Sequence, residues 1–144
     1  MVRRIDDIFP GLRGSEYKIT GPPDPVYNCI AWAAGATDDW WWPVGDLRKV
    51  HWPTDAPREE TLEAVQAAFG TLGYTVCDHA EPEPGYEKVA LFANAASFPT
   101  HAARQLENGR WTSKIGQLER IEHSLRDLEG IEYGLVVVAM KRPA

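Results

Sequence analysis

The hydrophobic pattern changes character along the chain. Residues 29–34, Cys29-Ile30-Ala31-Trp32-Ala33-Ala34, are apolar on almost every side, as in a short helix buried in a core, and Asn28 stands before them as a preferred helix-capping residue. Over residues 58–72 the apolar positions Leu62, Val65, Phe69 and Leu72 recur at helical spacing, with Glu59 and Glu60 at the N-terminal end and Gly73 suited to the stop. Strand patterns then take over, at residues 74–77, 88–93, 100–106, 110–115 and 133–140. The last is the most apolar and is predicted to be central. Ile121, Leu125 and Leu128 along one side predict a short helix over 121–128. The first 28 residues, broken by Pro10-Gly11, Gly14 and Gly21-Pro22-Pro23-Asp24-Pro25, read as irregular, as do the stretches around His51-Trp52-Pro53 and residues 81–85. Helices first and strands later predict an α+β fold with an antiparallel sheet. One domain over 1–144 is expected, residues 1–25 forming an irregular N-terminal wrap.

Composition narrows the function classes. The chain of 144 residues has 15 basic and 21 acidic side chains, a net charge of −6, which argues against a nucleic-acid surface. No window reaches the roughly 18 apolar residues of a membrane helix. The opening Met1-Val2-Arg3-Arg4-Ile5-Asp6-Asp7 has no apolar stretch behind its arginines, so no secretory signal is read. These features predict a cytoplasmic protein without membrane partners, export by a specialised system remaining open. Cys29 and Cys77 are far apart, with no C-x-x-C, and the four histidines His51, His79, His101 and His123 offer no zinc-like spacing. No metal and no cofactor are expected.

Chemistry is concentrated at Cys29. A cysteine opening a helix meets unpaired backbone N–H groups and the positive end of the dipole, which favour the thiolate and can hold an oxyanion. The plainer alternative is a small buried apolar residue, the reading also given to Cys77. His101, in Pro99-Thr100-His101-Ala102-Ala103-Arg104-Gln105, is the candidate base. If Glu107-Asn108-Gly109 forms a three-residue loop with Gly109 left-handed, Leu106 pairs with Arg110 and His101 shares a face with Ala103, Gln105, Trp111, Ser113 and Ile115. Arg104, Arg110, Thr112 and Lys114 then form the other face, expected to be solvated. A two-residue loop would instead put His101 beside Thr112 and Lys114. The first register separates apolar from charged residues better. His123, in an acidic amphipathic helix, reads as solvated.

The run Asn28-Cys29-Ile30-Ala31-Trp32-Ala33, then His101-Ala102, then Gly109-Arg110-Trp111-Thr112-Ser113-Lys114-Ile115-Gly116 resembles the papain-like cysteine hydrolase superfamily in its compact bacterial form. The chain is also similar to a bacterial family with Tyr-Asn-Cys, Trp-Trp-Trp-Pro and Pro-Thr-His-Ala-Ala-Arg-Gln motifs. The resemblance implies a helix carrying the nucleophile Cys29, packed on an antiparallel sheet carrying the base His101. It departs at the third, orienting position: papain-like proteases place an asparagine directly after the lysine of the Trp-x-x-Lys strand, and Ile115 stands there. Ser113 is the nearest polar residue on the same face, and Glu122 is the alternative. Asn28 is either an oxyanion donor or simply the helix cap. Of Trp40, Trp41 and Trp42, at least one belongs to the core, and Trp41 and Trp42 are candidate walls of a substrate cleft. Two functions follow as expectations. One is a cysteine hydrolase of a peptide or another amide or acyl substrate. The other is an inactive papain-like domain that binds a protein partner as an immunity or adaptor module.

Overall fold

The computed structural model describes residues 5–46 and 48–144. Met1 to Arg4 of the expected N-terminal wrap and Leu47 of the expected loop lie outside the described residues. A helical turn α1 (Ile5–Ile8) and a 3-10 turn (Pro10–Leu12) lead to β1 (Lys18–Gly21). Next come α2 (Cys29–Ala33), the short strands β2 (Trp40–Trp41) and β3 (Val50–His51), and α3 (Leu62–Gly70). Then follow β4 (Thr75–Cys77), β5 (Tyr86–Ala93), β6 (Pro99–Gln105), β7 (Trp111–Lys114) and β8 (Arg120–His123). A second 3-10 turn (Leu125–Leu128) precedes β9 (Leu135–Pro143).

The main sheet has seven strands in the order β1-β8-β7-β6-β5-β9-β4, antiparallel at every pairing. β2 and β3 form a separate parallel pair. The fold is therefore mixed α and β with a mostly antiparallel sheet and few helices, as the pattern predicts. Among the described residues, no helix is long and apolar enough to cross a membrane.

Both faces of the sheet are covered, which explains why β5 is buried without alternation from Lys88 to Ala93. On one face α2 and α3 pack Ile30, Ala31, Ala64, Val65, Ala68 and Phe69 against Val89, Leu91, Ala102 and Met140. On the other, Ile5, Phe9, Leu12 and Leu128 cover Ala90, Phe92, Ala103, Trp111, Ile115 and Ile121. The N-terminal segment is thus less irregular than expected. It contributes α1, a 3-10 turn and strand β1, which pairs with β8, because its scattered apolar residues supply the second layer of the core.

The β6–β7 hairpin has the predicted register. Leu106 N donates to Arg110 O at 2.7 Å, Gly109 N donates to Leu106 O at 3.0 Å, and Gly109 has φ of 85°, closing a three-residue loop. The face expected to be solvated is not: Thr112 and Lys114 are buried, because α2 lies over them. The helix expected over 121–128 is also replaced. Ile121 and His123 turn inward and Glu122 pairs with Arg110, so residues 120–123 follow the period of a strand. Ser124 N then donates to Asp127 Oδ2 at 3.1 Å and starts a 3-10 turn. β9 lies between β5 and β4 rather than at the centre, and Leu135 and Val137 remain 60% and 49% exposed.

Candidate functional site

Three side chains fix the start of α2. Asn28 Oδ1 accepts from Ala31 N at 3.2 Å, the expected helix cap, and from Trp41 N at 3.0 Å, while Nδ2 donates to Trp41 O at 2.8 Å. One amide thus caps the helix and staples β2 to it. Trp32 Nε1 donates to Thr112 Oγ1 at 2.9 Å, and the Arg104 and Arg120 guanidinium groups lie 5.0 and 4.4 Å from its ring centre. Lys114 Nζ reaches from the end of β7 to the carbonyls of Asp24 at 2.7 Å, Tyr27 at 3.2 Å and Gly116 at 2.6 Å. The loop before Cys29 is therefore tied to the sheet on which α2 packs.

His101 belongs to a buried chain of hydrogen bonds. Its Nε2 is 2.9 Å from Ser113 Oγ, Ser113 Oγ is 2.7 Å from His123 Nε2, and His123 Nδ1 is 2.7 Å from Ser124 O. The carbonyl oxygen only accepts, so Nδ1 of His123 carries a hydrogen. Burial brings the His123 pKa down to about 4, so near neutral pH the ring is uncharged and its Nε2 is an acceptor. Ser113 must then donate to His123 and accept from His101, which places the His101 hydrogen on Nε2. His101 is left with a bare lone pair on Nδ1, an atom without a hydrogen-bond partner among the described residues. Burial, and secondarily His123, hold the His101 pKa well below 6.5, so it too is neutral. Tyr133 stacks on the ring with centroids 4.2 Å apart, and Phe92 meets it edge-on at 5.1 Å.

Cys29 lies on the wall of a cleft of about 300 Å³ formed with Asn28, Trp40, Trp42, Thr100, Gly116 and Tyr133. Burial raises its pKa to about 11, against the opposing pull of the N–H groups of Ala102, Ile30 and Cys29 itself and of the Lys114 charge. This corrects the expectation of a depressed thiol pKa: desolvation outweighs the donors, and a helix of five residues has little dipole to add. The sulfur thus lies beside the N–H of Ala102, the residue after His101, and Tyr133 extends from the His101 ring to the cleft. No hydrogen bond joins the thiol to Nδ1 of His101.

Of the expected site residues, Cys29, Asn28 and Trp42 share the cleft, and Ser113 holds His101. Glu122 is turned to Arg110 at 2.9 Å and does not reach His101. Trp41 faces the core beside His51, with centroids 4.7 Å apart, and Trp40 lines the cleft in its place. Sequence reasoning missed His123, Tyr133 and Lys114. His123 had a signal available, since Ile121 and His123 alternate with charged neighbours as strand residues do. Cys77, expected to be buried, is partly exposed on the edge strand β4, its thiol donating to His79 O at 3.3 Å. No curated protein and no solved structure matches the chain. A family model does match, over residues 18–141, which includes every element that builds the cleft, and the chain belongs to that family, described as Domain of unknown function (DUF7689).

Proposed function

We propose that the protein is a cysteine-dependent hydrolase of papain-like architecture, acting on an amide or related acyl bond, with Cys29 as nucleophile, His101 as base and Ser113 as the orienting residue. The supporting observation is the setting of His101: Nε2 is held by Ser113, and Nδ1 is without a hydrogen-bond partner among the described residues, one residue from the N–H that borders the Cys29 sulfur. Nδ1 takes the thiol proton as the sulfur attacks the substrate carbonyl carbon. The carbonyl electrons move to oxygen, and the N–H groups of Cys29 and Ile30, which act on the sulfur together with that of Ala102, are the donors assigned to that oxyanion. Protonated His101 then gives its proton to the departing amine as the tetrahedral centre collapses to a thioester. Water, deprotonated by the same Nδ1, hydrolyses the thioester and restores the thiol. Among the described residues no charged side chain lines the cleft, and Trp40, Trp42 and Tyr133 offer aromatic surface. That lining suits an uncharged, apolar acyl group.

Electrophilic labelling tests the reading. An acyloxymethyl ketone carrying an aromatic side chain should label Cys29 faster than the more exposed Cys77. The label should disappear in Cys29→Ala and slow by about tenfold or more in His101→Asn. Labelling of Cys77 alone in the folded protein would refute it. A second reading, an inactive papain-like domain that binds a protein partner, is favoured by the raised pKa of Cys29 and would account for that result.

A further inference from the structure

We propose that Ser113 and His123 extend His101 into a two-histidine proton relay in which His123 holds the proton while Cys29 is a thiolate; the catalytic use of this relay rests on the hydrolase reading. The hydrogen-bond chain is continuous and correctly polarised. His101 Nε2–H donates to Ser113 Oγ at 2.9 Å, Ser113 Oγ–H donates to His123 Nε2 at 2.7 Å, and His123 Nδ1–H donates to Ser124 O at 2.7 Å.

When Nδ1 of His101 accepts the Cys29 proton, the N–H bond at Nε2 breaks and its proton passes to Ser113 Oγ. The Ser113 proton moves in the same step to the lone pair of His123 Nε2. One S–H bond is lost and one N–H bond is gained. His101 ends neutral with its hydrogen on Nδ1, and His123 ends as imidazolium with both nitrogens donating. The same steps reversed deliver the proton to the leaving group.

The surroundings favour this location for the charge. His101 is packed by the Tyr133 and Phe92 rings, and among the described residues neither of its nitrogens is bonded to a carboxylate. His123 has the Ser124 carbonyl on one nitrogen, with Asp127 from the following turn and Glu122 from its own strand nearby, opposed by Arg110 from just before β7. An orienting residue needs only to hold His101 in place. A relay also needs a second proton acceptor beyond it, and His123 supplies one.

His123→Gln separates these roles, since its amide oxygen can accept from Ser113 but takes no proton. Nitrogen NMR of histidine-labelled protein should show hydrogen on Nε2 of His101 and on Nδ1 of His123 in the wild type, with His123 protonating first on acidification. In His123→Gln the His101 tautomer should persist while labelling of Cys29 falls by about tenfold or more and its pH profile changes. Ser113→Ala should abolish both the tautomer preference and the rapid labelling. Wild-type labelling rates in His123→Gln, or protonation of His101 before His123, would overturn the relay and leave the hydrolase reading standing. An unlabelled Cys29 in the wild type would overturn the hydrolase reading, and with it the relay's catalytic use.

Discussion

Lys114 shows how one side chain sets the nucleophile's position. Its ammonium is fully buried, shares no ion pair at contact distance among the described residues, and gives its three hydrogens to the carbonyls of Asp24, Tyr27 and Gly116, with the Tyr27 ring 4.8 Å away. Burial lowers its pKa, with the Asp24 and Cys29 charges opposing that shift. Lys114→Met keeps the volume and leaves three inward-facing carbonyls without their donor. We expect a loss of about 3 kcal/mol in urea denaturation. A loss under about 1 kcal/mol would mean that water satisfies these carbonyls and that Lys114 is not the tie. Sequence alone placed Lys114 on a solvated face because lysine is almost never buried unless partnered. Its partners are backbone carbonyls from segments 90, 87 and 2 residues away, which no side-chain pattern reveals.

At the scale of elements, α2 depends on its flanks more than on itself. Five residues are too few for a helix to be stable by propensity, so its cap and its packing must hold it. Asn28→Ala removes the cap from Ala31 and both bonds to Trp41, loosening α2 and β2 together. The expected cost is about 2 kcal/mol, the upper range for a cap. Tryptophan fluorescence should shift to the red as Trp41 gains water. An unchanged spectrum would show that β2 is held by its other contacts. The register of the β6–β7 hairpin was legible because Asn108-Gly109 and the separation of apolar from charged positions gave the same answer. β8 was misread as a helix because Ile121, Leu125 and Leu128 also satisfy helical spacing. The strand was decided by its pairing with β7, the strand just before it, and with β1, from the other end of the chain.

For the whole molecule, two buried neutral histidines couple folding to pH. His123 titrates near 6.5 when free and at about 4 when folded, so between these values the unfolded chain binds a proton that the folded chain refuses. Unfolding is then favoured as pH falls: stability is complete above about 6.5 and declines towards 4, by about 3 kcal/mol from His123 alone. His101 acts in the same direction. Glu83, held down to about 2 by Lys141 and Lys88, adds its effect only below 4.5. Thermal unfolding should therefore show a lower Tm near pH 5 than near pH 7, and a Tm that is flat or rises on acidification would contradict the buried neutral chain. The sequence by itself determined the fold class, the capped helix that begins at Cys29, the hairpin register and the placing of Ser113 beside His101, because each follows from local periodicity, capping or turn chemistry. The tertiary structure decided the rest. Which face of the hairpin α2 covers, which tryptophans line the cleft, how far burial raises the Cys29 pKa and where His123 points all depend on contacts between segments remote in sequence. Desolvation and hydrogen-bond satisfaction are set there by the neighbours that packing brings, and the residue's own type and spacing do not specify them.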